Sequence, residues 1–524
     1  MTSPIDRRQF LQQLSLVAAA LATRNTQAAT RTTKPNIVII LSDDVGYGDI
    51  SSYGATHIHT PNIDSIAATG LRFTNAHSDA ATCTPSRYAL LTGSYGWRRD
   101  GVQVLPGDAK SLIQPNQPTI ASVLKSAAYT TGLVGKWHVG LGDGNIDWNG
   151  EIKPGPNEAG FDDAFFFAAT ADRVPTVYIH NHRVVNLDPA DPIHVSYKEK
   201  IGTEPTGKED PELLKMKLSE GHDGTVVDGV SRIGFMTGGH SARWKDEEMA
   251  ATFTNKAVEF IEQNQHRPFF LLFTPSDIHV PRMPAPQFSG TSACGVRCDV
   301  ISQLDWSVGR IIETLHRLNL DENTILIFTS DNGPVVNDGY DDGADHAIDG
   351  HKPAGPFRGG KYTILEGGTR LPFIIRWPGQ IKPGTSDALI SQLDLLRTFA
   401  TLTHQPIPPN GAPDSINVLP ALLGKSKTGR TSLIEEATVL AIVEGNWKLI
   451  DRSQRPGTRP PLPPDAPIKP EFSPDGLQPN PVARLELYDL STDPHETKNL
   501  AATHPEIVAR LSKKLATIRT QGHS

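Results

Sequence analysis

The 524 residues include 50 basic and 58 acidic side chains, for a formal charge of −8, with 38% hydrophobic and 21% charged content and three cysteines. This excludes a small disulfide-stapled scaffold, wholesale disorder and a general nucleic-acid binder, and leaves apolar material for a large core with one satellite. The 45 glycines and 42 prolines predict many ordered loops between short elements, and an anionic ligand would need a locally positive pocket.

Residues 1–29 read as an address. Arg7 and Arg8 precede an apolar run at 14–22, and Thr26-Gln27-Ala28 offers a small-residue cleavage site. The pattern resembles a bacterial twin-arginine signal peptide, so a periplasmic or secreted protein is expected. Stable membrane insertion is not, because the run is far shorter than the ~20 residues that span a bilayer.

Four apolar runs then lead into polar clusters. Residues 36–41 precede Asp43 and Asp44; 129–134 precede Gly135-Lys136-Trp137-His138; 269–273 lead to Asp277 and His279; 324–328 precede Asp331-Asn332-Gly333. None alternates, as expected of strands covered on both faces. Helical periodicity at 63–69, 119–127, 249–263 and 301–318 fills the gaps and predicts a mostly parallel α/β sheet with a ligand site beyond the strands' carboxyl ends. The larger α/β domain is placed at 33–404. A smaller C-terminal domain is expected over 405–524, after Gln405-Pro406-Ile407-Pro408-Pro409. It has a hairpin at 437–450, a strand at 485–490, a Pro-rich stretch at 456–481, and a closing helix from near Pro505 with Ile507, Leu511, Leu515 and Ile518 on one face.

Asp43, Asp44, Asp331 and Asn332 offer only oxygen, which suits a hard divalent cation such as Ca²⁺ or Mg²⁺ and disfavours zinc. The stretch 338–343 has part of an EF-hand loop's spacing but has Tyr340 at the third position, where a ligand belongs, and is expected to be a solvated loop. Cys294 and Cys298 allow either a small disulfide or two buried thiols. Cys83-Thr84-Pro85-Ser86-Arg87 predicts a helix with Pro85 at its first position, Cys83 at its positive end and Arg87 one turn along. Trp97, Arg98, Arg99, His57, His59 and Trp148 are weaker pocket candidates, and 142–239 is expected to form loops over the site.

Cys83-Thr84-Pro85-Ser86-Arg87 followed by Thr92-Gly93 resembles the C-x-P-S-R signature of the type I sulfatases. The likeness extends to Asn36 through Gly48, Gly135-Lys136-Trp137-His138, Gly359-Gly360-Lys361 with Glu366-Gly367-Gly368, and Leu487-Tyr488-Asp489-Leu490. It implies an alkaline-phosphatase-like fold with a smaller antiparallel domain, and a sulfuric ester hydrolase acting on an aryl or carbohydrate sulfate. It also implies that Cys83 is converted to formylglycine by a modifying enzyme, and that one Ca²⁺ is held by Asp43, Asp44, Asp331, Asn332 and the modified Cys83. Arg87 would stabilise the aldehyde hydrate, His138 would be the base for elimination and Lys136 would bind sulfate. His279 and Lys361 would contact sulfate and protonate the departing alcohol. Two other readings stay open at this point: a phosphonate or phosphodiester hydrolase of the same superfamily, and a non-catalytic calcium- or glycan-binding relative.

Overall fold

The computed structural model describes residues 34–345, 350–458, 460–463, 466 and 482–524; the signal-peptide reading and most of the second Pro-rich stretch lie outside them. Five strands form the parallel centre of a large sheet: β1 (Asn36–Ser42), β3 (Thr130–Lys136), β4 (Asp163–Phe167), β5 (Phe269–Thr274) and β6 (Thr324–Ser330), in the order β6-β1-β5-β3-β4. Their continuous apolar sequences follow from burial on both faces. In β1, Ile37, Ile39 and Leu41 belong to one core cluster while Val38 and Ile40 belong to the other.

Helices cover both faces. On one side lie α1 (Pro61–Thr69), α4 (Met249–Asn264) and α5 (Gly295–Arg317), and on the other α2 (Cys83–Thr92), α3 (Ile120–Ser126) and α6 (Leu395–Leu402). Among the described residues no helix is long and apolar enough to cross a membrane.

β4 falls inside the 142–239 stretch expected to be loops, its Phe165-Phe166-Phe167 run buried in the sheet, and two further strands not anticipated from the sequence extend the sheet beyond β6. β7 (Arg370–Arg376) pairs antiparallel with β6, and β2 (Leu71–His77) pairs antiparallel with β7. Two reversals leave β2 running in the same direction as β1, so its carboxyl end, and the amino end of β7, lie at the edge where β1 and β6 finish. β2 carries Arg72, Thr74 and Asn75 at half-buried positions, which breaks the apolar run that marked the central strands.

A four-stranded antiparallel sheet, β8 (Ser432–Glu436), β9 (Leu440–Glu444), β10 (Trp447–Asp451) and β11 (Leu485–Asp489), is covered by α7 (Pro505–Thr520) through Leu511, Leu515 and Ile518. Residues 412–423 precede it and pack into the main core through Ala412, Val418, Ala421 and Leu422. The small sheet is tied to the large one by a buried ionic knot. Lys448 Nζ lies 2.9 Å from Glu366 Oε1 and 2.9 Å from Glu435 Oε2, and 3.4 Å from Glu496 Oε1. His77, at the end of β2, meets Glu435 at 2.8 Å. His77, Glu366 and Glu435 have the composition of a metal site, but the Lys448 ammonium already bridges two of them.

Removing one partner of a buried ionic group leaves uncompensated charge, typically worth ~3–5 kcal/mol. Lys448→Met is expected to destabilise the fold by about that much, read as a lowered urea midpoint. Burial pushes the Glu496 carboxyl up to about 8 despite Lys448, with Glu366 adding to the rise. A folded pKa above the unfolded value contributes stability at low pH that is lost as pH rises through about 8. Stability should therefore fall between pH ~4.5 and 8, and Glu496→Gln should flatten that fall.

Candidate active site

The edge defined by the carboxyl ends of the parallel strands gathers residues from six elements. β1 delivers Asp43 and Asp44, β3 ends at Lys136 just before His138, β5 leads to His279, and β6 delivers Asp331 and Asn332. β2 leads through 78–82 into α2, and β7 is preceded by Lys361. All of these side chains, with Cys83 and Arg87, are buried.

The backbone is bent to this purpose. Gly135 has φ 116°, and a Cβ there would stand 2.1 Å from the Thr274 carbonyl. Asp44 and His138 occupy the left-handed region at φ 60° and 57°, a conformation non-glycine residues adopt only when their surroundings impose it. The His138 amide donates to the Ala168 carbonyl (3.1 Å) and its carbonyl accepts from Thr84 Oγ1 (3.0 Å).

Cys83 is itself the first residue of α2, and Pro85 occupies the third position, not the first. That is still in the first turn, where proline's missing N–H costs no helical hydrogen bond. The loop before it is clasped on two sides: Ala81 N donates to the Glu436 carbonyl of β8, and Tyr362 N donates to the Ala81 carbonyl, both at 2.8 Å.

Charges alternate across the cluster. Lys136 Nζ lies 2.9 and 2.7 Å from the two Asp43 oxygens, and Lys361 Nζ is 3.0 Å from Asp44 Oδ2. Arg87 Nε donates to Asp331 Oδ2 at 2.8 Å, and its Nη1 to the Lys136 carbonyl at 3.0 Å. Asn332 Nδ2 donates to Asp44 Oδ1 (2.7 Å). Burial alone would raise Asp43, but Lys136, His279, Arg87 and Lys361 outweigh it and hold that carboxyl far below its usual range. Asp331 is pushed up to about 6 by burial and by Asp43, against Arg87 and Lys136. Burial raises the Cys83 thiol, opposed by Lys136 and Lys361.

The two histidines differ. His138 Nε2 lies 3.0 Å from the Leu105 carbonyl, which fixes the proton on Nε2 and leaves Nδ1 as a lone pair. Burial, then Lys136 and Arg173, hold its pKa well below the usual value. His279 Nδ1 donates to the Val280 carbonyl (2.8 Å), which leaves Nε2 as its free nitrogen.

Arg87 Nη2, His138 Nδ1 and Asn332 Oδ1 are buried without a hydrogen-bond partner among the described residues. Buried orphans cost ~1–3 kcal/mol each, so three in one cluster mark a place shaped for something else. The donor set of Asp43, Asp44, Asp331 and Asn332 fits a hard divalent cation, with the orphaned Asn332 oxygen as a ready ligand.

Several neighbours escaped the sequence reading. The 338–343 stretch is not a solvated loop: Asp338 lies 2.9 Å from Lys361 Nζ and accepts from the Tyr362 hydroxyl, Tyr340 is buried with its hydroxyl on the Ser231 carbonyl, and Asp342 pairs with Arg282. An aspartate in a short acidic segment gives no sign of which cation it will meet. Asp172 pairs with Arg173 (2.9 Å) and with His222 (2.8 Å), inside the region expected to be loops. Burial would raise the Asp172 carboxyl, but Arg173, His222 and His279 bring it well below its normal range, which places it beside the catalytic candidates. Of the weaker candidates, Trp97 stacks on Tyr95, Arg98 forks onto Asp414, Trp148 lies in the core, and His57 and His59 are exposed. Arg99 alone lines a groove, of about 450 Å³, shared with Pro85, Tyr362 and Glu436.

The sulfatase family profile matches residues 35–405. The chain belongs to the sulfatase family. It is 49% identical to an N-acetylgalactosamine-6-O-sulfatase of Bacteroides thetaiotaomicron over 93% of this chain and 94% of that one. It is 32% identical to human arylsulfatase A, covering 93% and 88%. A solved Bacteroides thetaiotaomicron structure, from a study of glycosaminoglycan metabolism, superposes with a TM-score of 0.89 at 49% identity, covering 93% of this chain and all of that one. This sulfatase is an enzyme of the alkaline-phosphatase-like α/β fold that hydrolyses sulfate esters.

Proposed function

We propose that this sulfatase removes a 6-O-sulfate from a galactosamine-type sugar, using Cys83 converted to formylglycine and one Ca²⁺ held by Asp43, Asp44, Asp331 and Asn332. The observation that carries this reading is the convergence, on one sheet edge, of Cys83, an all-oxygen donor set and the cations Arg87, Lys136 and Lys361. The galactosamine assignment is supported by the 49% identical N-acetylgalactosamine-6-O-sulfatase. The charged residues Asp172, Arg173, His222 and Asp338 suit a polyhydroxylated leaving group better than a flat aryl ring. Two arginines before the apolar run support export by the twin-arginine route, with cysteine modification by a separate enzyme beforehand.

When bound, Ca²⁺ supplies a Lewis acid that polarises a sulfate oxygen. As its aldehyde hydrate, residue 83 supplies two hydroxyls, one to attack sulfur and one to expel sulfate. Lys136 and Lys361 hold the remaining sulfate oxygens as fixed cations in a water-poor pocket. Arg87 steadies the hydrate through Nη2, which makes no hydrogen bond of its own and lies 3.8 Å from Asp43 Oδ1. His138 accepts a proton at Nδ1, the nitrogen its bond to Leu105 leaves free. His279 offers Nε2 toward the leaving oxygen; burial and Lys361 lower its pKa, with Asp43 opposing, and an arriving sulfate anion raises it again.

Mass spectrometry of the peptide containing Cys83, from protein made beside a competent modifying enzyme, should show the aldehyde; an intact thiol would remove the nucleophile. Comparing sulfate and phosphate esters of one sugar should show a clear preference for sulfate, and the reverse would indicate the phosphoryl hydrolase reading. Asp331→Ala should lose bound calcium and most activity, and normal calcium content would refute the ligand assignment.

General acid catalysis is typically worth ~10²–10⁴-fold, and matters most when the leaving group is strongly basic. His279→Ala should depress hydrolysis of a sugar sulfate within that range while comparatively sparing nitrophenyl sulfate. Equal losses on both would assign His279 to sulfate binding and pass the acid role to Lys361.

A further inference from the structure

Behind the four oxygen ligands stands a guanidinium with no part in the chemistry above. Arg297, the third residue of α5, is wholly buried. Its Nη2 donates to the backbone carbonyl of Asp44 and its Nη1 to the carbonyl of Val335, each at 3.0 Å. Asp44 is the ligand held at φ 60°, and Val335 lies three residues beyond Asn332. One side chain therefore grips both of the loops that carry the metal donors.

The grip is completed by Asp49. Its carboxylate forms an ion pair with Arg297, accepts from the Gly46 amide (2.8 Å) and meets His351 Nε2 (2.8 Å). Gly46 can sit there only as glycine, since a Cβ would lie 2.1 Å from the Pro353 carbonyl. Asp49, the 42–46 loop, the 333–335 loop and α5 are thus cross-tied at one point.

Arg297 is itself enclosed by a covalent ring. The structure closes Cys294 and Cys298 into a disulfide across the first turn of α5, with a Cα separation of 5.6 Å and both residues buried. A flexible helix end would let the guanidinium wander; a bridged turn fixes the direction from which it leaves the helix.

We propose that Arg297 is a positioning residue for the calcium site, and that the Cys294–Cys298 disulfide holds the helical turn that aims it. The inference rests on the calcium reading given above. Asp49 alone could be neutralised by any cation, but reaching two carbonyls on separate loops needs the planar fork of arginine. Without it, Asp44 is released from its left-handed conformation and the ligands must be ordered by the ion itself, which weakens binding.

The test is calcium affinity by chelator competition on the folded full-length chain, alongside the melting temperature of the calcium-free protein. Partners one shell out from a metal typically change its affinity ~10–100-fold when altered. Arg297→Lys keeps a cation for Asp49 but loses the fork, and should weaken calcium binding within that range. The double variant Cys294→Ser with Cys298→Ser should weaken it less, in the same direction. Arg98→Lys, which loosens a half-buried arginine fork on Asp414 instead, measures what general loosening does and should leave affinity nearly unchanged. Unchanged affinity in Arg297→Lys, or an equal loss in Arg98→Lys, overturns the proposal. The wild-type titration judges the calcium reading separately: if the wild type takes up no calcium, that reading falls and this inference falls with it.

Discussion

Burying charge is the constraint on which this molecule turns. Three carboxylates at the ends of β1 and β6 could not be desolvated alone, nor could Lys136, Lys361 and Arg87; each set makes the other's burial possible. Because the partners come from strands far apart in sequence, the ion pairs also act as long-range ties. The sheet order β2-β7-β6-β1-β5-β3 is the arrangement that brings all of them to one edge. The balance is local: a chain of net charge −8 still gathers three buried cations at one sheet edge.

Several backbone carbonyls near the site are held by buried arginines. Val335's carbonyl accepts from both Arg297 (3.0 Å) and Arg282 (2.7 Å), and Arg282 also donates to the Ile278 carbonyl beside His279. The His279 loop and the loop after Asn332 are therefore referenced to a single atom. Such supports explain how strained residues such as Asp44 and His138 persist: the φ values that favour glycine are imposed by hydrogen bonds from rigid neighbours.

The sequence made some of this legible and concealed the rest for physical reasons. Four of the five central strands were visible because burial on both faces demands unbroken apolar runs, and Asp43-Asp44, Asp331-Asn332 and Lys136 stand directly at the ends of three of them; β4, inside the 142–239 stretch expected to be loops, was not. β2 was hidden because Arg72, Thr74 and Asn75 interrupt it, and β7 because its antiparallel entry reverses the usual order of strand and site residue. The pairings of Asp338 with Lys361 and of Asp172 with His222 could not be read locally, since those partners are remote in the chain, and Arg173 beside Asp172 does not by itself mark a site. Cys294 and Cys298 fitted a bridge or two thiols until the start of α5 placed them one turn apart. The C-terminal hairpin and closing helix were readable from alternation and periodicity alone, but nothing in the local pattern of β10 foretold that Lys448 would face three carboxylates.

The clasp on Ala81 bears on chronology. Cys83 is 1% exposed, and its loop is pinned by Glu436, a residue of β8 near the other end of the chain. A macromolecule that must act on the Cys83 side chain therefore has a deadline. Its opportunity opens when residue 83 is synthesised and closes when β8 docks, which cannot happen until most of the chain exists. The late position of β8 in the chain thus sets how long the Cys83 loop stays unclasped during synthesis.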